Sequence, residues 1–213
     1  TALGQAGLPV IKRPAALRDH GEKMAVLEFA AYAAPGLVSS NIKLLRAFAE
    51  SHEKVVYKPL DAMGGAGVFV TTSADPNLPV ILEMLTQNEA RAIMAQIYLP
   101  EISKGDKRVL LINGTPVPYS LARIPPEGAS RGNLAAGGKG VAQALSKDDL
   151  AIAQALGPVL ASRGLFLVGL DIIGNRLTEI NVTSPTGFQE ISAQTPADVG
   201  DLFISAIERS FEA

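Results

Sequence analysis

The stretch Phe166-Leu-Val-Gly-Leu-Asp171-Ile-Ile-Gly174-Asn-Arg-Leu-Thr-Glu179-Ile-Asn181-Val-Thr-Ser184-Pro185 decides how the rest of the sequence is read. Two runs rich in β-branched residues flank Gly174-Asn175-Arg176, and Gly and Asn tolerate the positive φ of a tight turn, so a β-hairpin is predicted. Side chains alternate between faces along a strand. Val168, Leu170 and Ile172 therefore share one face of the first strand, and Ile180 and Val182 share one face of the second. Asp171 falls on the opposite face of its strand, as Glu179 and Asn181 do on theirs. Pairing the apolar faces sets Asp171 opposite Glu179 across a three-residue turn. A two-residue turn would slip the register by one and bury Glu179 with the aliphatics.

Two carboxylates facing each other across a ladder repel, so something positive must compensate them. A hard cation such as Mg2+ suits Asp, Glu and an Asn carbonyl. Lys or Arg on a solvated sheet face would serve as well, and the hairpin alone leaves both readings open.

The chain has 213 residues, enough for a substantial core and for one or two domains. At 47% hydrophobic and 19% charged residues it has the composition of an ordinary soluble globular protein. A net charge of -2 gives no global reason to expect nucleic acid or an anionic membrane as partner. Without cysteine there are no disulfides and no thiolate metal sites. No apolar run approaches the roughly 20 residues that span a bilayer. The start, Thr1-Ala-Leu-Gly-Gln-Ala-Gly, is neither a signal peptide nor an initiator Met, so something upstream is expected to be removed or absent.

Leu8-Pro9-Val10-Ile11 reads as a brief strand, and Glu22 to Ala33 as a helix carrying Lys23 near its start. Lys23 could reach a ligand, although a lysine on a helix more often faces solvent. Ser39 or Ser40 is placed to cap a helix from Ile42 to Glu50 with the apolar stripe Leu44, Leu45 and Phe48. Val55 to Pro59 reads as a strand with Lys58 inside it, followed by the glycine-rich Leu60-Asp-Ala-Met-Gly64-Gly65-Ala-Gly67 and a strand from Val68. Backbone N–H groups in such a loop can approach phosphate oxygens, and a lysine inside an apolar strand needs an anionic partner. The loop does not end in Gly-Lys-Ser/Thr, so the P-loop fold is not supported.

Asp75-Pro76 predicts a helix start running to about Thr86, and Ile93 to Leu99 an apolar strand ended by Pro100. Val109 to Ile112 and Val117 to Ile124 pair through Asn113-Gly114, placing Arg108 and Arg123 on paired strands where they can be solvated or can clamp an anion. Pro125 to Val141 is long, irregular and glycine-rich, with the proportions of a lid bringing in Arg131, Asn133 and Lys139. Ser146 to Asp149 resembles a capping box, opening a helix that Gly164 stops after about Arg163. Thr195-Pro196 opens a last amphipathic helix. His20 and His52 read as surface residues, and no Ser-His-Asp arrangement or His-based metal site can be argued.

In this order the pieces resemble the ATP-grasp superfamily, an α+β fold in which two subdomains with antiparallel sheets grip ATP. Tyr57-Lys-Pro-Leu-Asp-Ala-Met-Gly-Gly, Gly105-Asp-Lys-Arg-Val, Arg131-Gly-Asn-Leu-Ala-Ala-Gly-Gly and Val168-Gly-Leu-Asp-Ile-Ile-Gly…Leu-Thr-Glu-Ile-Asn-Val-Thr-Ser-Pro resemble the bacterial glutathione synthetase family, from Leu8 onward. That family joins the C-terminal carboxylate of γ-glutamylcysteine to glycine at the expense of ATP in the cytoplasm.

The resemblance implies that Lys23 and Lys58 hold ATP phosphates beneath Gly64 and Gly65. Gln96, Tyr98 and Leu99 would line the adenine, with Asp106 on the nucleoside side. Asp171, Glu179 and Asn181 would ligate Mg2+, with Mn2+ as an alternative. Arg108 and Arg123 would face the transferred phosphoryl group, Arg131 would arrive with the lid, and Ser184 would sit by the substrate end. The resemblance divides the chain into a remnant of a preceding domain (1–20), a small subdomain and hinge (21–100), and a C-terminal subdomain (101–213) with its lid at 125–141. It also implies a homo-oligomer for the intact protein.

The sequence departs from the family wording around Lys12, Arg13 and Gly21, and Gln189 stands where an arginine is expected. The resemblance leads one to expect a domain-sized N-terminal unit ahead of this stretch, and its absence from the sequence leaves room for a fragment that binds Mg-nucleotide without turnover. Another ATP-grasp carboxylate–amine ligase, such as a D-alanine–D-alanine or peptide-tail glutamate ligase, shares the lysine and Glu-x-Asn logic but not the glycine-rich lid.

Overall fold

The computed structural model describes residues 10–126 and 137–212. Ahead of any strand lie a short helix, α1 (Pro14–Asp19), which the sequence reading did not anticipate, and a 3₁₀ segment, Met24–Phe29. No strand forms at Val10 and Ile11, and Leu8 and Pro9 lie outside the described residues.

The first sheet is antiparallel, in the order β1-β4-β2-β3, from β1 (Gly36–Ser39), β2 (Val55–Pro59), β3 (Phe69–Thr71) and β4 (Ile93–Ile97). Alternation assigns its two faces. Val55, Tyr57, Ile93 and Ala95 point into a core closed by Leu45 and Ala49 of α2 (Ile42–Glu50) and by Leu78 and Leu82 of α3 (Leu78–Thr86). Val56, Lys58 and Gln96 therefore face the other way.

The second sheet is also antiparallel, in the order β7-β6-β5-β8-β9. Its strands are β5 (Asp106–Ile112), β6 (Thr115–Ile124), β7 (Lys139–Ala144), β8 (Leu167–Ile173) and β9 (Arg176–Asn181). Asn113 and Gly114 take φ of 47° and 79°, the left-handed pair that a two-residue hairpin turn requires. Both faces of this sheet are covered, so β5 reads as the unbroken apolar run Val109 to Ile112. Val109 and Leu111 pack with Val168, Leu170 and Ile172 against α4 (Lys147–Ser162), and Leu110 and Ile112 pack against α5 (Phe188–Gln194) and α6 (Val199–Glu212).

The β8–β9 hairpin brings Asp171 opposite Glu179 as expected, but by a different route. Its turn has two residues, since Ile173 pairs with Arg176 and Ile172 with Leu177. A β-bulge at Thr178 then absorbs the slip, an extra residue on one strand restoring the register beyond it. Thr178 and Glu179 both face the cleft, while Leu177, Ile180 and Val182 stay in the core.

Several other local expectations are corrected. The helix expected over Glu22 to Ala33 shrinks to the 3₁₀ segment because its ends are committed to the edge of β9. Leu177 N–H donates to Tyr32, Ala34 N–H to Leu177 and Ile180 N–H to Glu22, which covers an otherwise open strand edge. Asn41, not a serine, caps α2 by accepting from Leu44 N–H at 3.1 Å. Asp75 forms a turn instead of a cap, accepting from Asn77 N–H at 2.8 Å and from the Thr71 hydroxyl at 2.7 Å, so α3 begins at Leu78. The far end of the expected lid, from Lys139, is strand β7 paired with β6, and Thr195-Pro196 joins two helices where one was expected. His20 is buried, bonded through Nδ1 to the Ala16 carbonyl and through Nε2 to Arg163.

The capping box at Ser146 forms as predicted, and Asp149 in it is fully buried. Its second role is long-range. Lys107 of β5 pairs with Asp149 and also donates to the Gly174 carbonyl at 2.9 Å, tying α4 to the tip of the carboxylate hairpin. Asp149→Ala is expected to cost about 3 kcal/mol in urea unfolding, because it strands a buried ammonium group. Asp149→Asn, which keeps the cap but not the charge, should cost less.

Candidate active site

The two sheets face each other across a cleft of about 540 Å³. From the first sheet come Lys58, Gln96, Tyr98 and Leu99, with the glycine loop at Gly64 and Gly65. From the second come Asp106, Arg108, Arg123, Asp171, Glu179 and Asn181, and Lys23 and Ser184 complete the expected set. The residues expected to hold nucleotide, metal or the phosphoryl group all line this one cleft except Arg131, which with Asn133 lies outside the described residues; Lys139, expected to arrive with them, stands instead in β7 and does not line it. Gly64, Gly65 and Gly67 all have positive φ, between 64° and 79°, so the loop's path depends on lacking Cβ atoms.

The floor is a buried ion network set by strand register. Arg108 lies beside Asp171 across the β5–β8 ladder, and Asp106 beside Arg123 across β5–β6. Asp171 receives Arg108 Nε at 2.5 Å on Oδ1, and Arg108 Nη2 at 3.1 Å and Arg123 Nη2 at 2.8 Å on Oδ2. Arg123 Nη2 also reaches Asp106 Oδ2 at 2.5 Å. Both arginines are buried, so the solvated-charge reading of them is wrong. Burial by itself pushes the Asp171 carboxyl up, but Arg108 and Arg123 outweigh it and hold the group well below the usual carboxylate range. Arg123 is held above its ordinary value by Asp171 and Asp106, against the opposing effect of burial.

Glu179 is compensated separately. Lys23 Nζ lies 3.0 Å from its Oε1 and donates to the Ala62 carbonyl at 2.7 Å, bridging the two halves of the cleft. Lys23 is only 6% exposed, which excludes the surface reading. Lys58 crosses the cleft too, its Nζ 3.4 Å from the Thr178 carbonyl. Burial lowers its pKa, with Glu179 pulling the other way. Both compensating devices left open by the sequence are therefore chemically available. Arginine and lysine hold the carboxylates, and oxygen donors for a hard cation remain.

Asn181 Nδ2 donates to the Gly169 carbonyl at 3.4 Å, which leaves its amide oxygen to offer. Glu179 has a second carboxylate oxygen, and Asp171 Oδ1, with one donor against the two on Oδ2, has a further lone pair. Two carboxylates and an amide fit Mg2+ and leave positions for phosphate oxygens or water. Among the described residues no set of three or more His, Cys, Asp or Glu is arranged for a metal.

Glu22, Thr178, Thr183, Thr186 and Glu190 also line the cleft and were not anticipated. Thr178 escaped because only the bulge turns it inward. Glu22 is held by the Thr183 hydroxyl, which donates to its Oε1 at 3.0 Å across most of the chain length.

Asp106 keeps one buried oxygen, Oδ1, without a hydrogen-bond partner, next to the positions expected to take a nucleoside. Burial pushes its pKa up to about 6 against the pull of Arg123. The folded chain thus binds more protons than the unfolded one between the ordinary carboxyl value and 6. This group's contribution to stability is full below that window and is lost as pH rises through 6. The side-chain 13C resonance of Asp106 should titrate near pH 6, and a midpoint near the ordinary value of about 4 would contradict the buried orphan oxygen.

A family model described as the prokaryotic glutathione synthetase ATP-grasp domain matches residues 22–196. The glutathione synthetase of Nitrosomonas europaea is 55% identical over 204 residues, covering 96% of this chain and 64% of that protein. That of Neisseria meningitidis (serogroup A) is 53% identical over 207 residues, covering 97% and 65%. This chain therefore spans a little under two thirds of the length of these curated relatives. Among solved structures, the D-cycloserine synthetase DcsG superposes with a TM-score of 0.74 at 16% identity, covering 96% of this chain and 75% of that one. The ATP-grasp ligase PsnB, complexed with minimal precursor, Mg and ADP, superposes with a TM-score of 0.67 at 20% identity, covering 96% and 63%. At such identities the likeness carries the fold, which is the α+β ATP-grasp fold. With the family match reaching across both sheets and the cleft between them, the chain belongs to the prokaryotic glutathione synthetase family through its ATP-grasp domain.

Proposed function

We propose that this chain is the nucleotide-binding part of an ATP-dependent carboxylate–amine ligase that joins γ-glutamylcysteine to glycine, releasing ADP and phosphate. The observation that carries the reading is the cleft itself. Lysines from both sides, a positive-φ glycine loop and a carboxylate–amide set converge on one space, in a chain of this family.

A carboxylate is a poor acyl donor at neutral pH, so it must first become an acylphosphate. Lys23 and Lys58 hold the phosphates, Gly64 and Gly65 cover them with backbone N–H groups, and Gln96, Tyr98 and Leu99 take the adenine. Asp171, Glu179 and Asn181 hold Mg2+, which neutralises charge on the phosphate oxygens when bound. Arg108 and Arg123 lie where charge builds on the moving phosphoryl group, pre-oriented by Asp171 and Asp106, so little reorganisation is needed. Glycine's amine then attacks the acylphosphate carbonyl, the amide bond forms, and phosphate leaves. Water competes for the same intermediate, and the task of excluding it falls to the lid expected at 125–141, with Arg131, cut back at its far end to before Lys139, where β7 begins. The sheets within 21–100 and 101–213 are the two gripping jaws, with Glu22 to Ala34 of the first range laid along the edge of β9. A thiol dipeptide stays reduced in the cytoplasm, the compartment assigned here.

A second reading has one observation in its favour, the limited span of the relatives that the chain covers. Under it the chain binds Mg-nucleotide without turnover. ADP release that requires γ-glutamylcysteine and glycine together supports the first reading, and nucleotide binding without that requirement leaves only the second. D-alanine replacing glycine productively would instead make it a different ligase. In an active chain, Glu179→Gln should lower Mg2+-dependent turnover roughly 100-fold at a stability cost of only about 1 to 2 kcal/mol, since the buried Lys23 ammonium loses its partner charge but keeps an amide oxygen and the Ala62 carbonyl as acceptors. Lost stability with unchanged Mg2+ dependence would make Glu179 structural.

A further inference from the structure

Beyond β9 the chain leaves the ladder, and the irregular segment 182–187 brings Thr183, Ser184 and Thr186 to the cleft. A segment without ladder bonds holds its shape only through contacts made from outside it. Val182 is anchored in the core, and three further contacts come from distant parts of the chain. Pro185 sits tightly over Gly169, where an added Cβ would lie 2.7 Å from the proline's own Cβ. The Thr183 hydroxyl donates to Glu22. Lys12 Nζ donates to two successive carbonyls, Val182 at 2.8 Å and Thr183 at 2.6 Å.

The lysine contact is the unusual one. Successive carbonyls aimed the same way form a local negative pole, and one ammonium group with three donors satisfies both. Lys12 holds a left-handed backbone, φ 64°, that a non-glycine residue rarely adopts, so the chain is bent to deliver this side chain. Lys12 does not itself line the cleft, yet the carbonyls it grips lie between Asn181 and Ser184.

We infer that Lys12 is a positioning residue for the substrate end of the cleft, setting Thr183, Ser184 and Thr186 against the ligand by pinning the Val182 and Thr183 carbonyls. The inference rests on the ligase reading for the identity of that ligand, and on geometry alone for the pinning. Because Lys12 grips main-chain oxygens, it governs where the segment lies and leaves the nucleotide end untouched.

The test compares the unmodified chain with Lys12→Met, which keeps the aliphatic stem and loses the donors, and Lys12→Arg, which keeps the donors. Backbone 15N order parameters at Thr183, Ser184, Thr186 and Gly187 should fall below about 0.6 in Lys12→Met, while Mg-ADP affinity changes by less than about twofold. In ADP-release assays KM for glycine or γ-glutamylcysteine should rise about tenfold in Lys12→Met with kcat nearly unchanged, and Lys12→Arg should recover most of both effects. Unchanged order parameters at these residues, or order parameters lowered evenly over the whole chain, would overturn the pinning. Local loosening with KM unaltered would reduce Lys12 to a brace and overturn the positioning role. An unmodified chain releasing no ADP with both substrates would remove the ligase reading, while the order parameters would still decide the pinning.

Discussion

The grip of two arginines on Asp171 is the constraint on which the rest of the cleft depends. Arg108, Asp171 and Arg123 come from three adjacent strands, β5, β8 and β6, and all three are buried. Charges removed from water are tolerable only when their partners are close and well aligned. Here the alignment is bidentate from Arg108 and reinforced from Arg123, so a slip in any one of these strands would leave a buried charge unmatched. The same network fixes the arginine side chains without help from a ligand. They face the cleft already oriented, which is what an electrostatic site for a migrating anion requires.

Around this floor the two sheets have different duties. The first offers Lys58 and Gln96 from the polar side of strands whose other side is closed by α2 and α3, so its contribution follows from simple alternation. The second is covered on both faces, and its cleft residues interrupt apolar runs. Asp106 and Arg108 precede Val109 to Ile112 on β5, and Arg123 stands near the end of β6. Polar residues concentrated at one end of an apolar sheet give the cleft a charged base without perforating the core. Lys23 then joins the halves, touching a carboxylate on one side and the glycine loop's Ala62 on the other.

What could be read from the sequence was what neighbouring residues decide. The Asn113-Gly114 turn, the Ser146 capping box, the span of α2 and the facing of Asp171 and Glu179 all depend on a few residues in a row, and all were legible. The paired strands of Arg108 and Arg123 were legible too, but their burial was not. Asp171, the group that draws them inward, lies 63 residues from Arg108 along the chain. The same limit explains the segment from Glu22 to Ala33, whose helical spacing lost to the open edge of β9. Asn41 was overlooked because two serines beside it were equally plausible caps, and only the backbone path chooses among them. His20 looked exposed for want of any signal that Arg163 would come to it from the far end of α4.

The bulge at Thr178 separates two properties that usually travel together in a hairpin. Were that one residue excised, Leu177 would still meet Ile172 and Glu179 would still meet Asp171, now in an uninterrupted ladder. Every aliphatic neighbour would keep its place. What would vanish is the main-chain oxygen that Lys58 reaches from the opposite sheet, together with the hydroxyl that donates to the Asp171 carbonyl. Thr178 is thus surplus to the strand pairing and specific to the clasp between the jaws, a link fastened by its hydroxyl to the Asp171 carbonyl on one side and touched by Lys58 on the other.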